Sequence, residues 1–174
     1  MKMKTWHVRA VFGAILMLAL GGVAVAQVAT PPPNLGCTDR TIKGDWGFRV
    51  SGEAWFNGLG APPIIRDGVA MTHFDGQGNL SQEDFVMANG SPQGPPNTFH
   101  GGENGKYQIN SDCTGSGEIT FPNGMVVKLL LVVSNFGQTI HTIVSEIDTP
   151  PDANGNTSIV PASIHSDAER LSFF

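Results

Sequence analysis

Cysteine, tyrosine and basic side chains are scarce in this chain: two Cys, one Tyr and ten Lys plus Arg among 174 residues. Two isolated cysteines cannot supply the four grouped ligands of a structural zinc site, nor the dense bridging of a disulfide scaffold. Three of the basic residues, Lys2, Lys4 and Arg9, fall in the first nine positions, so the rest of the chain sets seven bases against fifteen acids, a net of −8. That balance argues against nucleic acid and anionic membrane as partners, because both need clustered Lys and Arg to displace counterions. No stretch offers an uninterrupted helical period of about 12 residues, so helix content should be low. No Gly-x-Ser-x-Gly elbow and no phosphate-binding Gly loop leading into a helix is present, which removes support for hydrolase and nucleotide-binding readings.

The basic start is followed by an apolar run over residues 10–25 that closes on Ala24-Val25-Ala26. A basic start, a short apolar middle and a small-x-small ending make a secretory signal, and residues 1–26 are assigned to it. A retained anchor is the competing reading; the run is shorter than the about 20 residues a span needs and is followed by proline rather than by basic residues. Cleavage leaves 148 residues with no membrane span, a length that suits one domain with a real core. The expected location is secreted or periplasmic. In an oxidising compartment an even pair of cysteines usually closes, so Cys37 and Cys113 are expected to form one disulfide.

Residues 27–36, QVATPPPNLG, form a Pro-rich lead that cannot enter a sheet interior. The single domain is expected over residues 37–174. There, runs rich in Val, Ile, Phe and Thr alternate with Gly, Asn, Asp and Pro clusters. A first strand is predicted near residues 44–56, where Trp46, Phe48 and Val50 share one face and Asp45, Arg49 and Ser51 the other. Asp75-Gly-Gln-Gly-Asn79 joins the next two strands as a hairpin turn, since Gly and Asn supply positive φ. Similar turns at residues 122–124 and 135–137 bound the runs 117–121, 125–133 and 138–147. Residues 106–110 add a strand that enters a turn over 111–115, and residues 163–174 supply the last. The fold class is therefore all-β: a meander of about eight antiparallel strands, a closed barrel or a two-sheet sandwich, with closure favoured because it removes exposed edges. Gly/Pro/Asn-rich loops at residues 58–63, 89–97 and 149–156 are expected to cluster at one end.

Candidate chemistry is sparse, and no catalytic residue, metal-ligand set or cofactor motif stands out. His73, His100, His141 and His165 lack ligand spacing along the chain, although His73 and His141 can approach each other across strands. Of the close carboxylates, Glu83 and Asp84 point to opposite faces of a strand, and Glu146 and Asp148 share a face at a strand end; a solvated rim is the preferred account of both pairs. The Asp75 loop carries oxygens for calcium but lacks the distal Glu of an EF-hand, and a hairpin turn accounts for it better. Trp55 and Phe56 stand near a rim, where they either touch a ligand or seal the end. The stretch Met125 to Val133 is apolar on both faces except at Lys128. Either loops or the tail cover its outer side, or that side is an interface through which the chain self-associates.

The stretches KGDWGFRVSG, FDGQGNL and GKYQINSDCTGSGEITFPNG together resemble a family of small exported, largely uncharacterised proteins with a lipocalin-like (calycin) β-barrel. The resemblance runs from about Cys37 to Arg170. Its most specific parts are the pattern Y-x-x-N-x-D-C-T-G at residues 107–115 and Gly-Asp-Trp at residues 44–46, which looks like the lipocalin Gly-x-Trp. It implies that Trp46 plugs the closed base of a barrel and that Arg170, on the last strand, packs across it as a cation–π partner. The function expected is an exported non-enzymatic module that binds a small apolar ligand or a protein partner. The alternatives are a barrel isomerase or cyclase-like enzyme and an envelope-associated structural protein. The width of the interior, which separates these, is not set by a pattern in which several strands are apolar on both faces.

Overall fold

The computed structural model describes residues 35–172. The expected signal, most of the Pro-rich lead and the last two residues lie outside the described residues. Nine strands follow in order: β1 (Gly44–Ala54), β2 (Ile64–Phe74), β3 (Asn79–Ala88), β4 (Ser91–Pro92), β5 (His100–Ile109), β6 (Thr114–Thr120), β7 (Val126–Ser134), β8 (Thr139–Asp148) and β9 (Ala162–Arg170). All pairings are antiparallel, and β1 pairs with both β2 and β9, so the sheet closes on itself. Eight strands are the staves of the barrel; β4 merely folds back on Met87 and Ala88.

Period-two alternation decides which side chains face in. On β1 these are Trp46, Phe48 and Val50, and on β9 the sequence alternates buried Ile164, Ser166 and Ala168 with exposed Ser163, His165, Asp167 and Glu169. Because consecutive staves run up and down, the tight β2–β3, β5–β6 and β7–β8 turns share one end. The longer connections, residues 55–63, 89–99, 121–125 and 149–161, share the other.

The first end is closed. A short 3₁₀ helix, Asp39–Ile42, lies across it, and Ile42 and Trp46 are both fully buried. The Trp46 indole N–H donates to the Ile42 carbonyl at 2.7 Å, and the Arg170 guanidinium sits 4.7 Å from the indole centroid. That guanidinium also donates to the carbonyls of Thr41 (2.6 Å) and Gly137 (3.0 Å), so it ties the helix and the β7–β8 turn to the last stave. Phe74 and Tyr107 complete the plug with edge-on rings 4.9 Å apart. The disulfide Cys37–Cys113 fastens the segment before the helix to the β5–β6 turn.

Strand positions differ from the sequence expectation in places with a common cause. β5 begins at His100, six residues before the predicted Lys106, because Gly101, Gly102 and Gly105 looked like loop. In a curved sheet these glycines permit close approach: a β-carbon at Gly105 would lie 1.9 Å from the Glu118 carbonyl oxygen. The register also slips between Gln82 and Asp84, a bulge that bends β3 against β5. The tail does not cover β7. It becomes the stave β9, and Leu130, Val132 and Ile143 stay about half exposed on the outer face.

Candidate functional site

Above the plug the barrel encloses a cavity of about 550 Å³ that opens between the long connections. Its depth follows from what the staves turn inward: Ala70 on β2 and Gly117 on β6, where larger residues would take up the space. At Gly117 a β-carbon would meet nothing closer than 3.7 Å, so this glycine borders open volume. Most of the lining is apolar, with Phe48 and Val50 on β1, Ile119 on β6, Val127 and Leu129 on β7, and Val144 on β8.

One wall is different. β2, β3 and β5 carry Thr72, Gln82, Asp84 and Glu103 to the interior, and all but Gln82 are nearly inaccessible. The Thr72 hydroxyl donates to Gln82 Oε1 at 2.8 Å, and Gln82 Nε2 donates to Glu103 Oε2 at 3.0 Å. This chain orients the amide and leaves Glu103 with a neutral donor rather than a cation. Burial, reinforced by the charges of Asp84 and Glu83 and only partly offset by the Gln82 bond, pushes the Glu103 carboxyl up to about 7. Burial also raises Asp84, against the opposing pull of His100, whose Nδ1 is 3.8 Å from Asp84 Oδ1. His100 is wedged beneath the loop after β4: a β-carbon at Gly94 would lie 2.1 Å from its Nε2, and that nitrogen has no hydrogen-bond partner among the described residues. Across the cavity a second, neutral polar pair joins the hydroxyls of Thr142 and Ser166 at 2.5 Å.

At the mouth, Arg66 lies over the Phe56 ring at 5.2 Å and donates to Gln93 Oε1 at 2.7 Å. It makes no ion pair among the described residues, and burial lowers its pKa.

The residues singled out from the sequence divide sharply. Phe56 lines the mouth, whereas Trp55 beside it does not reach the cavity, its backbone N–H bonding to the Pro161 carbonyl at 2.9 Å. His73 and His141 both face outward, each 2.6 Å from a carboxylate, Asp45 and Asp167 respectively. They do not approach each other, since β1 and β9 stand between their strands. Glu146 and Asp148 share a rim ion-pair cluster with Lys128, the Asp148 contact at 3.2 Å. Asp75 turns its carboxylate into its own hairpin, accepting from the backbone of Gln77 and Asn79.

Asp84 corrects the rim expectation: it is 7% exposed and faces the interior, while Glu83 points the other way. Glu103, Gln82 and Arg66 were missed altogether. A usable signal existed, because Leu80, Gln82, Asp84 and Val86 recur at period two, as do Glu103, Tyr107 and Ile109 with a gap at Gly105. A polar residue inside such an apolar alternation marks an interior polar wall.

Fold and cavity together define a class: a closed, eight-stave antiparallel barrel, plugged at one end and hollow above the plug. No family model and no curated protein matches the chain. Among solved structures it is similar to EF1p2_mFAP2b bound to DFHBI, at 12% identity and a TM-score of 0.50, over 78% of this chain and 100% of that one. It is also similar to the S-type phycobiliprotein lyase CPES from Guillardia theta, at 8% identity and a TM-score of 0.45, over 78% of this chain and 92% of that one. At these identities the likeness is one of fold.

Proposed function

We propose that this protein is an exported, non-enzymatic binding module that holds a small, largely apolar molecule inside its barrel. The observation that carries the reading is the cavity: about 550 Å³ lies within the range of small-molecule sites, and its walls are apolar with a few convergent polar groups. The similar structure EF1p2_mFAP2b is bound to DFHBI, which supports a small-molecule-binding use of this shape. Export is supported by the basic, apolar and small-residue order of the first 26 residues and by the Cys37–Cys113 disulfide.

A second reading uses the same cavity for an isomerase or cyclase-like reaction. It is favoured by one observation, the Glu103 carboxyl held near neutrality, where a group can both give and take a proton. Both are tested by expressing the full chain, purifying the exported form and extracting it for mass spectrometry. The binding reading expects an N-terminus at Gln27 and a retained molecule, or a thermal shift with a member of a panel of fatty acids, terpenoids and haem. Neither retention nor any shift would overturn it. A bound compound recovered as an isomer of what was added would favour the enzyme.

A further inference from the structure

We propose that the polar wall is an acidic anchor, and that the molecule held in the barrel carries a basic nitrogen seated against Glu103 and Asp84. This inference rests on the binding reading above and specifies its ligand. Three observations carry it. First, both carboxyls line the cavity and are nearly inaccessible, Glu103 at 2% and Asp84 at 7% exposure. Second, they are under-partnered. Among the described residues Glu103 accepts one hydrogen bond, from a neutral amide, and Asp84 accepts none, with the imidazole of His100 3.8 Å away. Third, the register keeps Arg66, the guanidinium at the cavity mouth, away. Arg66 is opposite Ala88, whereas Asp84 is opposite Ala70, four residues or about 13 Å along the strand.

Buried carboxylates so placed are expensive without a cation, and a cation that arrives with the ligand satisfies them. The surroundings of Glu103 are acidic on balance. From β3 it meets Asp84, and Glu83 on the outer face adds to the same field. Across β6 the nearest titratable group is Glu118, which faces solvent, and from the start of β5 the wall receives the imidazole of His100. An anionic head group would find its partner at Arg66 instead, at the mouth. The two chemistries therefore bind in opposite orientations and are separable.

The test uses three ten-carbon probes that differ only in the head group: decylamine, decanol and decanoate. Each is titrated calorimetrically into the purified protein at pH 8 and pH 5.5. At pH 8 decylamine is expected to bind about tenfold to a hundredfold more tightly than decanol, the range of a charge-assisted hydrogen bond. That advantage should shrink at pH 5.5, where Glu103 holds its proton while the amine stays charged. Glu103→Gln should remove the advantage; if that variant does not fold, Asp84→Asn should reduce it. Decanol binding with no preference for the amine overturns the anchor and leaves the binding reading standing. Decanoate binding most tightly overturns it in favour of Arg66. Failure of all three probes overturns both readings.

Discussion

β1 turns Trp46 inward at the base and Val50 above it; β2 turns in Phe74 and then Ala70, and β8 Ile140 and then Val144. At the base the members of these pairs are 3% exposed or less, and their rings and branches fill the barrel. Higher up, the same staves enclose about 550 Å³. The alternation is identical at both levels and only side-chain size changes. The comparison teaches that the strand pattern makes the barrel, while the volumes on its inner face decide which part is core and which is site. It also shows how a hollow fold stays folded: helix, disulfide, Arg170 clamp and aromatic plug all gather at one end.

Truncation should separate the two levels most strongly. Trp46→Ala is expected to lower the free energy of unfolding by about 3–5 kcal/mol in a urea titration. Leu129→Ala, on the cavity wall, should fall near the low end of the range for such a change, about 2 kcal/mol, because its neighbours on one side are already absent. Equal losses would mean the upper barrel is packed like the base. Next in size is the disulfide. The Cys37→Ser, Cys113→Ser double variant opens a link of 76 residues and should lose up to about 4 kcal/mol. The loss belongs to the base, so decanol affinity should survive it wherever the fold does.

A smaller effect distinguishes the polar wall. Glu103 sits at about 7 in the folded protein against 4.5 for an ordinary glutamate, so between those values the folded state holds a proton that the unfolded state has lost. Stability therefore falls as pH rises through this window, and is fully present below it. Glu103→Gln should flatten that part of the pH profile of Tm relative to the parent. Parallel profiles would show that Glu103 is not buried as described.

The base was largely legible in the sequence, because its signals are residue-specific: Gly-Asp-Trp, the paired cysteines, the hairpin turns. The polar wall was not. Asp84 sits beside Glu83, and two adjacent acids look like solvent-facing residues until the register shows one of them pointing inward. Glu103 lies among glycines that imitate a loop, yet those glycines are what let β5 bend against β6. Arg66 and Phe56 meet only because residues 55–63 bring β2 back beside β1, a contact with no local trace in the chain. Period and turn chemistry locate strands, whereas the inner face of a closed barrel depends on the register of all its neighbours.

Whether the upper barrel is a ligand site or loosely packed core is decided at Gly117. Its φ is ordinary and a β-carbon there would meet nothing closer than 3.7 Å, so Gly117→Leu should narrow the cavity with stability changed by about 1 kcal/mol or less. Calorimetric titration with decanol should show binding to the parent and clearly weaker binding to this variant. Unchanged decanol affinity in a folded Gly117→Leu protein would place the ligand elsewhere and contradict the account.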